Sequence, residues 1–278
     1  GVSWGQVDAV AVTYGPGLAG ALMVGVNMAK AIAFARGLPL FGINHLEGHV
    51  YAVWLEGHQP DVSPGFPLAC LVASGGHTDL LLMEGHGGFR LLGMTRDDAA
   101  GECFDKAARV LGLGYPGGPA IQRASQTVKL SDVRELLPRA WLRGTLDFSF
   151  SGLKTAVLHR AQEKGLVDGG GADRQKDVAA LAVAFQESVV EVLVRKTLDA
   201  AAQKGARGIV LGGGVTANTR LRERLRAEAG DMPVFIPSPG LCVDNAAMIA
   251  ACAYYHAQRR PPDGYGLDVA PSLKLGGS

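Results

Sequence analysis

Three observations predict an α/β protein. Apolar runs alternate with helix-period stretches from the start of the chain: strand-like over residues 7–13, helical over 21–36, strand-like again over 38–43. The 39 glycines among 278 residues exceed the usual share, and many cluster between those runs, where backbone can approach a ligand closely. Late in the chain, a strand over 208–211 passes through Gly212-Gly213-Gly214 into a helix. That order presents the N–H groups of a helix start to an anion or nucleotide.

Taken in order, residues 7–13 alternate and then run apolar, as a buried strand does. Tyr14-Gly15-Pro16-Gly17-Leu18-Ala19-Gly20 follows as a tight loop, and the Ala-, Met- and Val-rich helix over 21–36 stops at Gly37. Three prolines among polar residues over 57–67 mark a domain boundary. Residues 68–73, 78–84 and 89–94 then read as an antiparallel meander, joined by Ser74-Gly75-Gly76-His77 and Gly85-His86-Gly87-Gly88. The first turn can aim backbone N–H groups into a cleft, or can simply close a hairpin. Asp97 and Asp98 are placed to cap a helix that runs to Leu111 and carries Glu102, Asp105 and Lys106. Tyr115-Pro116-Gly117-Gly118-Pro119 ends that helix and starts another. Residues 127–175 are less regular, with Gly169-Gly170-Gly171 expected as a mobile loop.

Val178, Leu181, Phe185, Val189 and Val192 form the apolar stripe of a long helix and read as core. The helix after the triple glycine carries Arg220, Arg222, Arg224 and Arg226 on different faces, a solvated helix or in part an RNA-facing patch. Residues 234–236 make a last strand. Cys242 to Met248 then opens the final helix with Asp244 in its first turn, as an N-cap or as a carboxylate free to complete a metal site.

Composition narrows the function classes. A hydrophobic fraction of 47% against 19% charged residues describes a globular chain with a sizeable core, long enough for one large domain or two. The net charge of +1 gives no bulk attraction to nucleic acid, so any such contact needs a local basic patch or a partner. Cys70, Cys103, Cys242 and Cys252 form no Cys-x-x-Cys pair, and no secretory signal opens the chain, so a reducing cytoplasm is expected. No apolar stretch reaches membrane-spanning length without a charge or a glycine break, so no membrane partner is expected.

The sharpest chemical signal is Ile43-Asn44-His45-Leu46-Glu47-Gly48-His49. On a helix, His45 and His49 lie one turn apart on one face and can chelate a divalent metal, with a third ligand from elsewhere. The same spacing also serves two histidines on a polar face. A metalloprotease reading is rejected, because Glu47 lies about 200° around the helix from either histidine and points away from a metal they share.

The constellation as a whole resembles one family. His45-Leu46-Glu47-Gly48-His49, Ser74-Gly75-Gly76-His77-Thr78, Asp97 to Lys106, Tyr115 to Pro119, Phe148-Ser149-Phe150-Ser151-Gly152-Leu153-Lys154, Gly212-Gly213-Gly214-Val215 with Asn218, and Asp244-Asn245 with Met248 occur in that order. Over residues 7 to about 256 this resembles the TsaD family, tRNA N6-adenosine threonylcarbamoyltransferases once known as O-sialoglycoprotein endopeptidases. The resemblance implies an actin-like ATPase (ASKHA, RNase H-like) fold, two related α/β domains facing a cleft. It implies transfer of the threonylcarbamoyl group from threonylcarbamoyl-adenylate to N6 of the adenosine next to the anticodon in tRNAs reading codons that begin with A, with release of AMP. Carried over by position, His45, His49 and Asp244 hold one divalent metal, iron or zinc. Ala73, Ser74, Gly75, Gly76, His77, Asp105, Gly118 and Asn218 line the adenylate site. Lys154 is a candidate partner for negative charge, and no covalent nucleophile is implied. The implied partners are tRNA, a shorter paralogous subunit of TsaB type and a P-loop ATPase of TsaE type.

On this reading residues 1–66 with 244–278 form the first domain and residues 67–243 the second, with a helical insertion at about 97–205. Two departures stand out. The family opens on a strand with an Asp-Thr-Ser-Cys-Asp-Asp-Thr-like phosphate loop, and nothing like it precedes Val7, so the opening strands are expected to be missing. Gln122 stands where many members have aspartate. The alternatives are a sugar kinase or ATPase of the same fold, which leaves the histidine pair with Asp244 unexplained, and a non-catalytic scaffold subunit of the same complex.

Overall fold

The computed structural model describes residues 1, 3–133, 136–166 and 173–276; the glycine run 169–171 lies outside them. Two sheets organise the chain. β1 (Val10–Gly15) and β2 (Leu40–Asn44) pair in parallel, Val10 opposite Leu40 and Thr13 opposite Ile43, and are joined by α1 (Ala19–Arg36). The second sheet holds β3 (Leu68–Ala73), β4 (Thr78–Gly85), β5 (Gly88–Met94), β6 (Gly208–Gly212) and β7 (Val234–Phe235) in the order β5-β4-β3-β6-β7. β5, β4 and β3 form the expected antiparallel meander, while β3, β6 and β7 run parallel. β3 and β6 are buried along their whole length, which is why both read as unbroken apolar or small-residue runs rather than alternating ones.

Between β5 and β6 come α3 (Ala100–Val110), α4 (Gly117–Ser125), α5 (Ser151–Glu163) and α6 (Arg174–Lys204). The predicted stripe on α6 is core: Val178, Leu181, Phe185, Val189 and Val192 are all buried, and Phe185 meets Phe104 of α3 edge to face at 5.1 Å. Asp97 and Asp98 do not cap α3, whose N-cap is Ala99. Asp97 reaches across the chain instead. Its carboxylate accepts from the N–H groups of Phe150 (2.8 Å) and Ser151 (3.2 Å) and from the hydroxyls of Ser149 and Ser151, and so serves the start of α5. Asp98 pairs with Lys106 at 2.6 Å. Sequence spacing favoured a local cap, and tertiary contact supplied a remote one.

α7 (Thr219–Glu228) packs on the same face as α6, with Leu221 and Leu225 in that core, while α2 (His45–Tyr51) and α9 (Ala246–Ala257) cover the other face and α8 (Pro239–Cys242) leads into α9. A helix of seven residues does not hold itself in water. Burial holds α2: Leu46, Val50 and Tyr51 share one core with Met248 and Cys252 of α9 and with Cys70 and Val72 of β3. Asn44 caps it, its side-chain oxygen accepting from Leu46 N–H at 2.9 Å. The arginines of α7 are mostly spent inside the molecule. Arg220 and Arg224 pair with buried Glu187, and Arg222 donates to the carbonyls of Thr216 (2.7 Å) and Pro237 (2.8 Å). These three are therefore held by partners within the chain, and Arg226 alone of the four is exposed. Among the described residues no helix is long and apolar enough to cross a membrane.

Candidate metal centre and cleft

β2 delivers its chain directly into α2, so the first turn of the helix starts where the sheet ends. His45 and His49 occupy one face of α2, their rings 4.7 Å apart at 72°. Their Nε2 atoms lie 3.3 and 3.2 Å from Oδ1 of Asp244. Asp244 is not in the first turn of the final helix, nor is it the cap. It sits in the extended link between α8 and α9, where Asn245 caps α9 by accepting from Met248 N–H at 2.9 Å. That division of labour leaves the Asp244 carboxylate free. The neighbouring imidazoles of His45 and His49 hold it well below the usual carboxylate range.

His49 is 1% exposed; its Nε2 meets only the Asp244 carboxylate, and its Nδ1 has no hydrogen-bond partner among the described residues. A buried polar atom left unpaired costs about 1–3 kcal/mol, so a donor aimed at two others is better explained by a ligand than by packing. Two imidazoles and one carboxylate suit a divalent transition metal, and the three donor atoms lie within 4.8 Å of one another.

A second group, Glu47, Cys252 and His256, has similar spacing but a different chemistry. Arg260 Nε donates to His256 Nδ1 at 3.0 Å, which leaves Nε2 carrying the proton and donating to Glu47 Oε1 at 2.9 Å. An arginine cannot give up that role, so both ring nitrogens are committed and no lone pair remains for a metal. Glu47 thus points away from the histidine face, as the helical spacing requires, and its side chain is buried against α9.

A cavity of about 840 Å³ opens beside the three donors. His45, Asp244 and the turn Ser74 to His77 line it, with Pro16, Gly17 and Leu18 opposite. The turn closes on itself through Ser74 N–H to His77 O (2.8 Å) and His77 N–H to Ser74 Oγ (3.2 Å). The amides of Gly75 and Gly76 have no hydrogen-bond partner among the described residues, as an anion-holding turn needs. Burial, and then the nearby His45 and His49, lower the pKa of His77, so its imidazole is neutral at pH 7.

The other sequence-predicted residues do not line this cavity. Ala73 is the buried end of β3. Asp105 accepts from Gly117 N–H at 2.7 Å, next to Gly118, whose Cβ position is open. Asn218 caps α7 and donates to Gln186 Oε1 at 2.8 Å. Gln122, the departure noted above, accepts from Thr219 N–H at 2.8 Å and ties α4 to the start of α7. Lys154 is exposed on α5.

Sequence reading missed Asp79. It lines a neighbouring cavity of about 480 Å³ together with His77, is 7% exposed, and has its pKa pushed up to about 6 by burial. The signal was a carboxylate at the start of the all-buried run Thr78 to Met83. Because the folded pKa lies above the unfolded one, the folded chain keeps a proton that the unfolded chain has released between about pH 4 and pH 6, and stability falls as pH rises through that window. Asp79→Asn is therefore expected to stabilise the chain by about 2 kcal/mol at pH 7.5 and by little at pH 4. Urea unfolding at the two pH values checks this, and an equal shift at both contradicts it.

With this geometry in place, the comparisons with known proteins are decisive. The sequence model of the family described as TsaD, tRNA N6-adenosine threonylcarbamoyltransferase, matches residues 1–251. The chain belongs to the TsaD family. A tRNA N6-adenosine threonylcarbamoyltransferase of Dehalococcoides mccartyi is 54% identical over 270 residues, covering 97% of this chain and 78% of the relative. That of Thermomicrobium roseum is 52% identical over 291 residues, covering 99% and 79%. Among solved structures, HypF from T. kodakarensis superposes with a TM-score of 0.64 at 13% identity, over 92% of this chain and 42% of that one. At that identity the likeness is one of fold alone, the actin-like ATPase fold. Like the other TsaD members it matches, the chain is a tRNA N6-adenosine threonylcarbamoyltransferase.

Proposed function

We propose that His45, His49 and Asp244 hold one divalent metal ion, iron or zinc, beside a cleft in which threonylcarbamoyl-adenylate meets the adenosine next to the tRNA anticodon. The observation that carries this reading is the convergence of those three donors on one point beside the cavity, whose wall carries His45, Asp244 and the Ser74 to His77 turn. When bound, the metal supplies Lewis acidity that offsets negative charge on carbamoyl or carboxylate oxygens.

The rest of the chemistry falls to the chain. The N6 amine attacks the carbamoyl carbon, the bond from that carbon to the phosphate oxygen breaks, AMP leaves, and the amine loses a proton. Neutral His77 on the cavity wall can take up that proton. The free amides of Gly75 and Gly76 can hold the phosphate, while Asp105, Gly118 and Asn218, which lie outside that cavity, are assigned to the nucleoside end of the adenylate by their family positions alone. Because the acyl group arrives as a mixed anhydride, positioning and charge stabilisation suffice without a covalent nucleophile. Lys154 is kept as a partner for negative charge.

The domain division at residues 57–67 and 243/244 belongs to the same reading: the links there join the two-stranded sheet with α2 and α9 to the five-stranded sheet. Near-zero net charge favours working with partners, a shorter paralogue and a P-loop ATPase, and α1 exposes Met23, Val24, Met28 and Phe34 to solvent. Free buried cysteines fit a cytoplasmic setting.

Elemental analysis of the purified chain, reconstituted with iron and with zinc in turn, tests the metal reading. One equivalent per chain is expected, lost in a His45→Ala, His49→Ala double variant. A wild-type chain that retains neither metal overturns it.

A further inference from the structure

Resting on the metal reading above, we propose that Glu47 is a positioning residue of the centre. Its buried bond to His256 sets the rotation of α2 against α9 and thereby aims His45 and His49 at Asp244.

Glu47 lies midway between the two histidines in sequence and on the opposite face of α2, where its carboxylate accepts from His256 Nε2–H at 2.9 Å. His256 is in the last turn of α9, whereas Asp244 stands just before the first turn of the same helix. The short helix α2 is thus tied to both ends of α9, by its histidine face at one end and by Glu47 at the other.

The tie continues back to the strand that launches α2. Arg260 Nε fixes the His256 tautomer, its other nitrogens donate to Asp263 Oδ2 (3.0 Å) and Gly42 O (2.9 Å), and Asp263 Oδ2 accepts from Gly42 N–H (2.7 Å). Gly42 is three residues before His45. Strand, helix and α9 are therefore closed into one ring of directional bonds.

Packing alone does not supply that direction. Apolar contact is non-directional, and α9 packs closely on α2 at Gly48, where a Cβ would lie 2.6 Å from Ile249 Cδ1. A glycine contact brings the helices together but offers no side chain to stop them turning. With imidazole nitrogens roughly 6 Å from the helix axis, a rotation of about 10° moves them about 1 Å, against the about 0.2 Å window of a metal–ligand distance. A few degrees of freedom in α2 are enough to spoil the site.

Zinc affinity, measured by competition with a chromophoric chelator, tests this on wild type, Glu47→Ala, Glu47→Gln and Phe185→Leu. The last is a core variant remote from the centre that serves as the stability control. Glu47→Ala is expected to bind zinc about tenfold or more weakly, with Glu47→Gln, whose amide oxygen still accepts from His256, within about twofold of wild type and Phe185→Leu unchanged. Wild-type affinity in Glu47→Ala overturns the inference while leaving the metal reading intact, as does a loss no larger than that in Phe185→Leu. An equal loss in Glu47→Gln overturns it too, by assigning the effect to charge. A wild-type chain that binds neither zinc nor iron removes the metal reading itself.

Discussion

His49→Ala is expected to reduce transfer by on the order of a hundredfold or more, with little loss of fold stability in the metal-free chain. The two halves of that expectation come from the same observation. His49 is buried with Nδ1 unpaired and Nε2 facing only the Asp244 carboxylate, so without a metal the imidazole contributes packing but also carries an unmet hydrogen-bonding cost. Removing it opens a small void while relieving that cost. With metal present the comparison reverses, because a ligand that binds only the folded state stabilises it by mass action. Wild type should gain thermal stability as zinc is added, and His49→Ala should not. Thermal melts with and without zinc, run beside the transfer assay, read both effects. A variant that melts far below wild type in the absence of metal would assign His49 to the core.

Gly213→Ala should cost on the order of 2–5 kcal/mol, enough to unfold a marginal chain. Gly213 has φ +91°, in the region that side chains rarely adopt, and a Cβ there would lie 2.8 Å from the carbonyl carbon of Ala73 and closer still to its oxygen. The neighbouring Gly212 backs directly on α2: a Cβ there would lie 2.6 Å from His49 O. The triple glycine is therefore where β6 presses against both the end of β3 at Ala73 and the helix that bears the histidines. Gly214 has nothing within 4 Å of its Cβ position, so Gly214→Ala should fold like wild type. Denaturant midpoints of the two variants separate close approach from a general intolerance of side chains in this loop.

Much of this was legible in the sequence because it depends on local spacing. The histidine pair needed only the helical period, and the same period placed Glu47 on the far side of α2, where the structure has it meeting α9. The meander and the α6 stripe followed from apolar runs bounded by glycine. What the sequence hid depends on contacts between distant segments. Asp97 caps a helix more than fifty residues away, and Asp244 is free because Asn245 takes the cap. Arg220, Arg222 and Arg224 looked solvent-facing but are engaged by Glu187 and by loop carbonyls that no spacing rule connects to them. The adenylate residues divide for a related reason. Ser74 to His77 is one turn and reaches the cavity intact, whereas Asp105, Gly118 and Asn218 come from three separate elements and hold one another's surroundings together instead of lining it.

The measurement that bears most directly on the central claim is transfer itself. The metal-loaded chain is incubated with threonylcarbamoyl-adenylate and unmodified tRNA, with and without the shorter paralogue, and modified adenosine is read by mass spectrometry. Modification that requires His45, His49 and Asp244 and releases AMP in equal amount is the predicted result. A chain that binds its metal yet yields no modified adenosine with the paralogue present, or yields as much with all three ligands replaced by alanine, contradicts it.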